Sequence, residues 1–324
     1  MTRAGPDAAP GLAGRSNRAK SAPMRWIEPG ALRAALQFPI ANARMVLAGA
    51  GLYGVVFAVQ SVLTLYLAAG SSAAGLGALI ATLAAFGVFC VVLAGWGRVA
   101  LGMQASTPLG FQAGGDELRL IWVAFLVVIL SFTVLGTALV VLAFMLAALA
   151  MIGAERVGMS EPPEGFINIF SLFGPGEWAV ALVLMGGFAI FSIWLFSRLS
   201  LGVPATLDGR RVRILSVWPL STGRFVAITL SAAAVIFPGL VMILMINSAL
   251  GTLFGIAPAS PQSLVNANGD VTGSPLGLAA ISFVYGGLKM VLLGAPLTGL
   301  VCALYRIYAR ENAHRLETDK TRQL

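Results

Sequence analysis

Apolar residues in this chain gather into six long blocks separated by short polar connections. The blocks run approximately Met45 to Ala69, Gly75 to Gly97, Leu120 to Met151, Trp178 to Ser197, Phe225 to Gly255 and Leu276 to Tyr305. A helix needs about 20 such residues to cross a hydrocarbon core of roughly 30 Å, and each block meets that length. The pattern predicts an all-α fold, a polytopic transmembrane helical bundle of about six spans with short interfacial helices. The third, fifth and sixth blocks exceed one crossing, so tilt, kinks or extension beyond the bilayer must absorb the excess. Pro238-Gly239 marks the expected kink in the fifth and Pro296 in the sixth.

The stretch before the first block lacks that pattern. Residues 1–28 read as a disordered basic tail, rich in Ala, Gly, Pro and Arg and too poor in apolar periodicity to fold alone. It is no secretory signal, because the first apolar block begins only at Met45 and is too long for an h-region. From Pro29, GALRAALQFPIANAR places apolar residues at helical spacing beside Arg33, which predicts a short helix on the membrane surface. The membrane domain is then 29–308, followed by a charged tail over 309–324.

Composition agrees: of 324 residues, 58% are hydrophobic and only 10% charged. A soluble domain carries about 25% charge, so lipid replaces water around much of this surface. The net charge of +8 does not indicate nucleic acid, because the basic residues punctuate apolar blocks instead of forming one patch. Their placement orients the bundle. Nineteen of the 21 Lys and Arg fall on one side of the blocks; Arg156 lies opposite and Lys289 within a block. By the positive-inside tendency both termini are cytoplasmic, in a bacterial inner membrane. Trp96, Trp122 and Trp178 stand at block borders, where indole rings favour the headgroup level.

Two local patterns carry more than hydropathy. GRVALG at 97–102 recurs as SRLSLG at 197–202, each closing a block on the basic side, and a duplicated three-helix unit would produce that echo. From 197 to 225 the chain reads SRLSLGVPATLDGRRVRILSVWPLSTGRF. Arg210, Arg211 and Arg213 there sit among Val212, Ile214 and Leu215, as in a segment lying at the interface, where each basic residue near an anionic leaflet contributes about 1 kcal/mol. Ser221 or Thr222 is placed to cap the fifth span, with Arg224 near phosphate depth. Recognition of an anionic headgroup and plain positive-inside anchoring both fit this segment.

Arg198, Pro204, Ala205, Asp208, Gly209, Trp218, Leu220, Ser221, Gly223, Arg224 and Phe225 together resemble the membrane domain attached to some bacterial glycerophosphoryl diester phosphodiesterases, and related stand-alone six-helix inner-membrane proteins. GGDELRL before the third block is similar to a second, weaker feature of that family. The resemblance implies a fold and a compartment. It implies no reaction, because the family's catalytic barrel is absent from this sequence. Pro219, directly after Trp218, interrupts the helical segment the resemblance implies there.

Catalysis finds no footing in the residues. The sole histidine, His314, lies in the charged tail, Cys90 and Cys302 sit alone in apolar blocks, and GxSxG, HExxH and P-loop patterns are missing. No cofactor or metal site is expected. Glu155, Glu161, Glu164 and Glu177 read as a solvated rim on the opposite side. Inside the blocks, Gln60, Asn247 and Lys289 are the polar residues that would line a midmembrane site. Alternatively, Gln60 and Asn247 bond between helices while Lys289, a turn below the outer surface, snorkels outward. Three functions follow: binding of anionic lipid or a membrane partner through Arg198, Arg210, Arg211, Arg213, Ser221 and Arg224; transport of a small solute past Lys289; or service as an accessory subunit of a membrane enzyme.

Overall fold

A computed structural model describes residues 26–103, 107, 111, 114–158, 172–214, 217–266 and 268–323. Among them the chain is helical, with a single β-bridge between Val265 and Val271 in one connection. The helices are α1 (Pro29–Ala41), α2 (Ala43–Ala68), α3 (Ser72–Ala100), α4 (Gly115–Arg156), α5 (Pro175–Ser200), α6 (Gly202–Gly209), α7 (Trp218–Ser221), α8 (Phe225–Phe254), α9 (Pro275–Lys289) and α10 (Ala295–Gln323). Six helical runs are long and apolar enough to cross a bilayer, with α5–α6 and α9–α10 each counted as one run. The protein is therefore a multi-pass membrane protein.

The spans form because their residues are apolar on every face, the signature of a helix solvated by lipid and neighbouring helices rather than water. Close approach between them comes from glycine. A Cβ on Gly54 of α2 would stand 2.6 Å from the Phe283 carbonyl oxygen of α9, and one on Gly286 would stand 2.9 Å from Phe57. These contacts pack α2 against α9 while its other side packs on α3, through Gly49 beside Val92 and Trp96. α3 also presents a small-residue face: Ala78, Ala81 and Ala85 are buried, and Gly77 lies against Leu63.

The remaining spans divide unequally. The most apolar windows of α2, α3, α8 and the α9–α10 run are 28 to 33% buried, whereas those of α4 and α5 are 6% and 11% buried. α4 and α5 thus form a hairpin whose sides face lipid, leaving an open apolar groove of about 320 Å³ between Ala138, Leu142, Leu184 and Phe188. At the far end of that hairpin Arg156 pairs with Glu177 at 2.9 Å. Glu161 and Glu164 lie outside the described residues.

α1 packs instead of floating free. Ala31, Ala35 and Phe38 are buried, and Ala34 and Ala35 lie against Gly299 of α10. The Glu28 N–H donates to Ser231 Oγ of α8 at 3.2 Å, which pins the helix entry. The helix expected to rest on the surface is thus part of the bundle's buried packing. At its other extreme, α10 continues through Gln323 without a break at 308.

Pro296 is absorbed without ending the helix. Met290–Gly294 winds as a π turn, just where the missing N–H of Pro296 leaves the Leu292 carbonyl without its i+4 donor. Gly239 faces this turn: a Cβ there would lie 2.9 Å from the Leu292 carbonyl oxygen. The two proline sites expected to bend separate spans therefore meet across one contact.

Candidate functional sites

Chain direction brings the ends of α3, α5 and α10 and the starts of α2, α4 and α8 to one end of the bundle, where all the basic connections lie. Three arginines of this end turn inward. Arg98, in the last turn of α3, is 3% exposed and forms an ion pair with Glu117, itself 3% exposed, with Asp116 Oδ2 4.0 Å from its Nε. Asp116 is also held by Arg119 at 2.6 Å. The expected start of the third span, Leu120, lies five residues inside α4. The helix begins at Gly115, so both carboxylates belong to its first turn, where the helix dipole favours them.

Arg198 occupies the corresponding place near the end of α5 and meets no carboxylate among the described residues. Its Nη1 donates to the Trp218 carbonyl at 3.0 Å, to Ser221 Oγ at 3.1 Å and to Thr222 Oγ1 at 2.9 Å. Its guanidinium carbon lies 5.5 Å from the Trp194 ring centroid and 5.4 Å from that of Trp218, and the two indoles meet edge to face. This corrects two expectations. Ser221 and Thr222 do not cap α8, whose N-cap is Arg224 without a side-chain bond, because both hydroxyls are committed to Arg198 and the Trp218 carbonyl. Pro219 does not break the segment either, since it sits in the first turn of α7, where no intrahelical N–H is required.

Arg224 is the third. It pairs with Glu311 of α10 and lies 4.2 Å over the Tyr308 ring. Asp208 at the end of α6 accepts from the Tyr305 hydroxyl at 2.8 Å. Arg198, Asp208, Trp218, Ser221 and Arg224, the polar and aromatic heart of the conspicuous motif, therefore tie α5, α6, α7, α8 and α10 together.

Arg210, Arg211 and Arg213 remain outward. All three are exposed and none forms an ion pair among the described residues. They lie in no helix: α6 stops where Arg210 takes φ 47°, the only positive φ outside glycine among the described residues. That conformation is disfavoured for a side chain bearing a Cβ. It turns the chain back so that the Arg213 N–H donates to the buried Thr206 hydroxyl at 3.0 Å. Residues 215 and 216, in the apolar part of this stretch, lie outside the described residues.

The midmembrane constellation is not assembled. Gln60 donates to Thr82 of α3 at 3.1 Å, and the Asn247 side-chain oxygen accepts from the Ala259 N–H at 3.1 Å, in the connection after α8. Lys289 meets neither. Its Nζ lies 5.1 Å from the Phe57 ring centroid and 5.7 Å from that of Tyr285. The helical run starts at Pro275, so Lys289 is about 21 Å along it at 1.5 Å per residue. No group of three or more His, Cys, Asp or Glu side chains suited to a metal occurs among the described residues.

Comparison of the chain with family models, with curated proteins and with solved structures found no match.

Proposed function

We propose that this membrane protein binds anionic lipid headgroups through the connection between α6 and α7. The observation that carries the reading is the division among the arginines of this end. Arg98, Arg198 and Arg224 are engaged by other side chains of the bundle, whereas Arg210, Arg211 and Arg213 are exposed without an ion pair among the described residues. Arg198, Arg224 and Ser221, grouped with them on sequence grounds, act as the frame beneath the binding surface. With nineteen of the 21 basic residues on this side, it is the cytoplasmic face of a bacterial inner membrane, and both termini share it. The same frame is the part of the chain that resembles the membrane domain of glycerophosphoryl diester phosphodiesterases, and its bonds supply a structural reason for that motif.

Three arginines at about 1 kcal/mol each near an anionic leaflet predict a lipid preference large enough to measure. The test is native mass spectrometry of the full chain released from bilayers of mixed phosphatidylglycerol and phosphatidylcholine. Replacing Arg210, Arg211 and Arg213 with Gln should lower retained phosphatidylglycerol roughly tenfold or more while leaving the helical content intact. Equal retention in the variant would overturn the reading, and stoichiometric capture of one acidic membrane protein in place of lipid would replace it with partner binding.

A further inference from the structure

Lys289 belongs to neither the arginine frame nor the proposed lipid surface. It ends α9 within the packed pair of α2 and α9, two residues after Gly287, which lies against Ala50, in a run that continues past Arg306. An ammonium in that position needs a negative partner. Among the described residues none is supplied: α2, α3, α8 and α9 contain no Asp or Glu, and no carboxylate pairs with Lys289. What the chain supplies is two ring faces, Phe57 from α2 and Tyr285 from α9, which attract the cation without neutralising it.

The surroundings also depart from plain helix packing. The π turn begins at the next residue, Met290, so the positions up to Lys289 and those after Gly294 no longer share one helical face. Lys289 thus stands between an aromatic wall and a register change.

We propose that Lys289 binds a singly charged anion within the membrane, an organic carboxylate whose apolar body lies against Phe57 and Tyr285. A single charge follows from the count, since α8 and α9 carry no second cation and a dianion would leave net charge in hydrocarbon. A small inorganic monoanion shares this chemistry, and the test separates the two sources.

The full chain, labelled with ¹⁵N at lysine Nζ, is placed in phosphatidylcholine bilayers and titrated with ¹³C-carboxyl decanoate or with chloride. Decanoate should bind saturably, with a dipolar coupling between its carboxylate carbon and one lysine Nζ. Lys289→Met should weaken binding roughly tenfold to a hundredfold, the range for loss of a charged hydrogen bond, and Lys289→Arg should retain it. Saturation by chloride with decanoate excluded would support the same site with an inorganic occupant. Saturation by neither probe, or equal binding by Lys289→Met, would overturn the proposal. If Lys289→Met fails to fold, the dipolar coupling in the unmodified chain decides, and its absence counts against the site.

Discussion

Arg98 and Arg198 stand in matching hexapeptides, GRVALG and SRLSLG, at the same end of two spans, and both are buried. They solve the cost of burial differently. Arg98 is met by a carboxylate charge from the first turn of α4, and Arg198 by two hydroxyls, a carbonyl and two indole faces. The first arrangement cancels charge inside the bundle. The second keeps a net positive charge there but spreads its stabilisation over several contacts. Loss at Arg98 should therefore fall mainly on the α4 carboxylates, and loss at Arg198 be divided among many contacts.

The largest expected effect tests the concentrated side. Glu117→Ala removes the carboxylate paired with a guanidinium that is 3% exposed and leaves Asp116 at 4.0 Å. Breaking a buried pair in this way costs about 3–5 kcal/mol, so the midpoint of unfolding in mixed micelles should fall sharply. Replacing Arg98 and Glu117 together with Met should restore most of the loss, because the penalty lies in the unpaired charge. A double variant as unstable as Glu117→Ala would show that the pair contributes more than charge cancellation.

On the divided side, Trp218→Ala removes one of two indoles and leaves the other, Trp194, over the guanidinium. About 2 kcal/mol is expected from the lost cation–π contact and apolar contact area, read by the same unfolding measurement. A loss as large as that of Glu117→Ala would erase the distinction between the two sites.

The same contrast explains what the sequence disclosed. The six spans were legible because hydropathy over 20 or more residues is a strong signal, and the expected Phe225 start of the fifth coincides with α8. The third span starts earlier than hydropathy suggests because Asp116 and Glu117 resemble a polar connection. Charges mark span ends in a hydropathy reading, yet here they enter the helix to reach Arg98, 19 residues earlier. The repeated hexapeptide held the available clue, a matched arginine at each site, but nothing local distinguishes an arginine turned inward from one turned to the leaflet. Ser221 illustrates the same limit. Its position before a span suits a cap, and only the fold shows that Arg198, 23 residues upstream, has claimed its hydroxyl. The π turn was invisible for another reason: Pro296 announces a disturbance, but not whether a kink or a widened turn absorbs it.

The smallest effect sharpens the comparison furthest. In Ser221→Ala, Arg198 loses one of its three oxygen partners while Thr222 and the Trp218 carbonyl remain, and both indoles stay in place. A single hydrogen bond to a charged group, in a cluster that can tighten around the loss, is expected to cost about 1–2 kcal/mol. Removing Thr222 as well, as Ser221→Ala with Thr222→Val, should cost more than the sum of the single changes, because the first loss is cushioned by the partner that the second removes. At Arg98 the loss is graded by distance: Asp116→Asn alone should cost less than Glu117→Ala, since Asp116 is 4.0 Å away and is shared with Arg119. Excess loss from the double change at Arg198, and a loss at Arg98 that falls mainly on Glu117, would establish that one repeated arginine is held chiefly by charge and the other by a shared network.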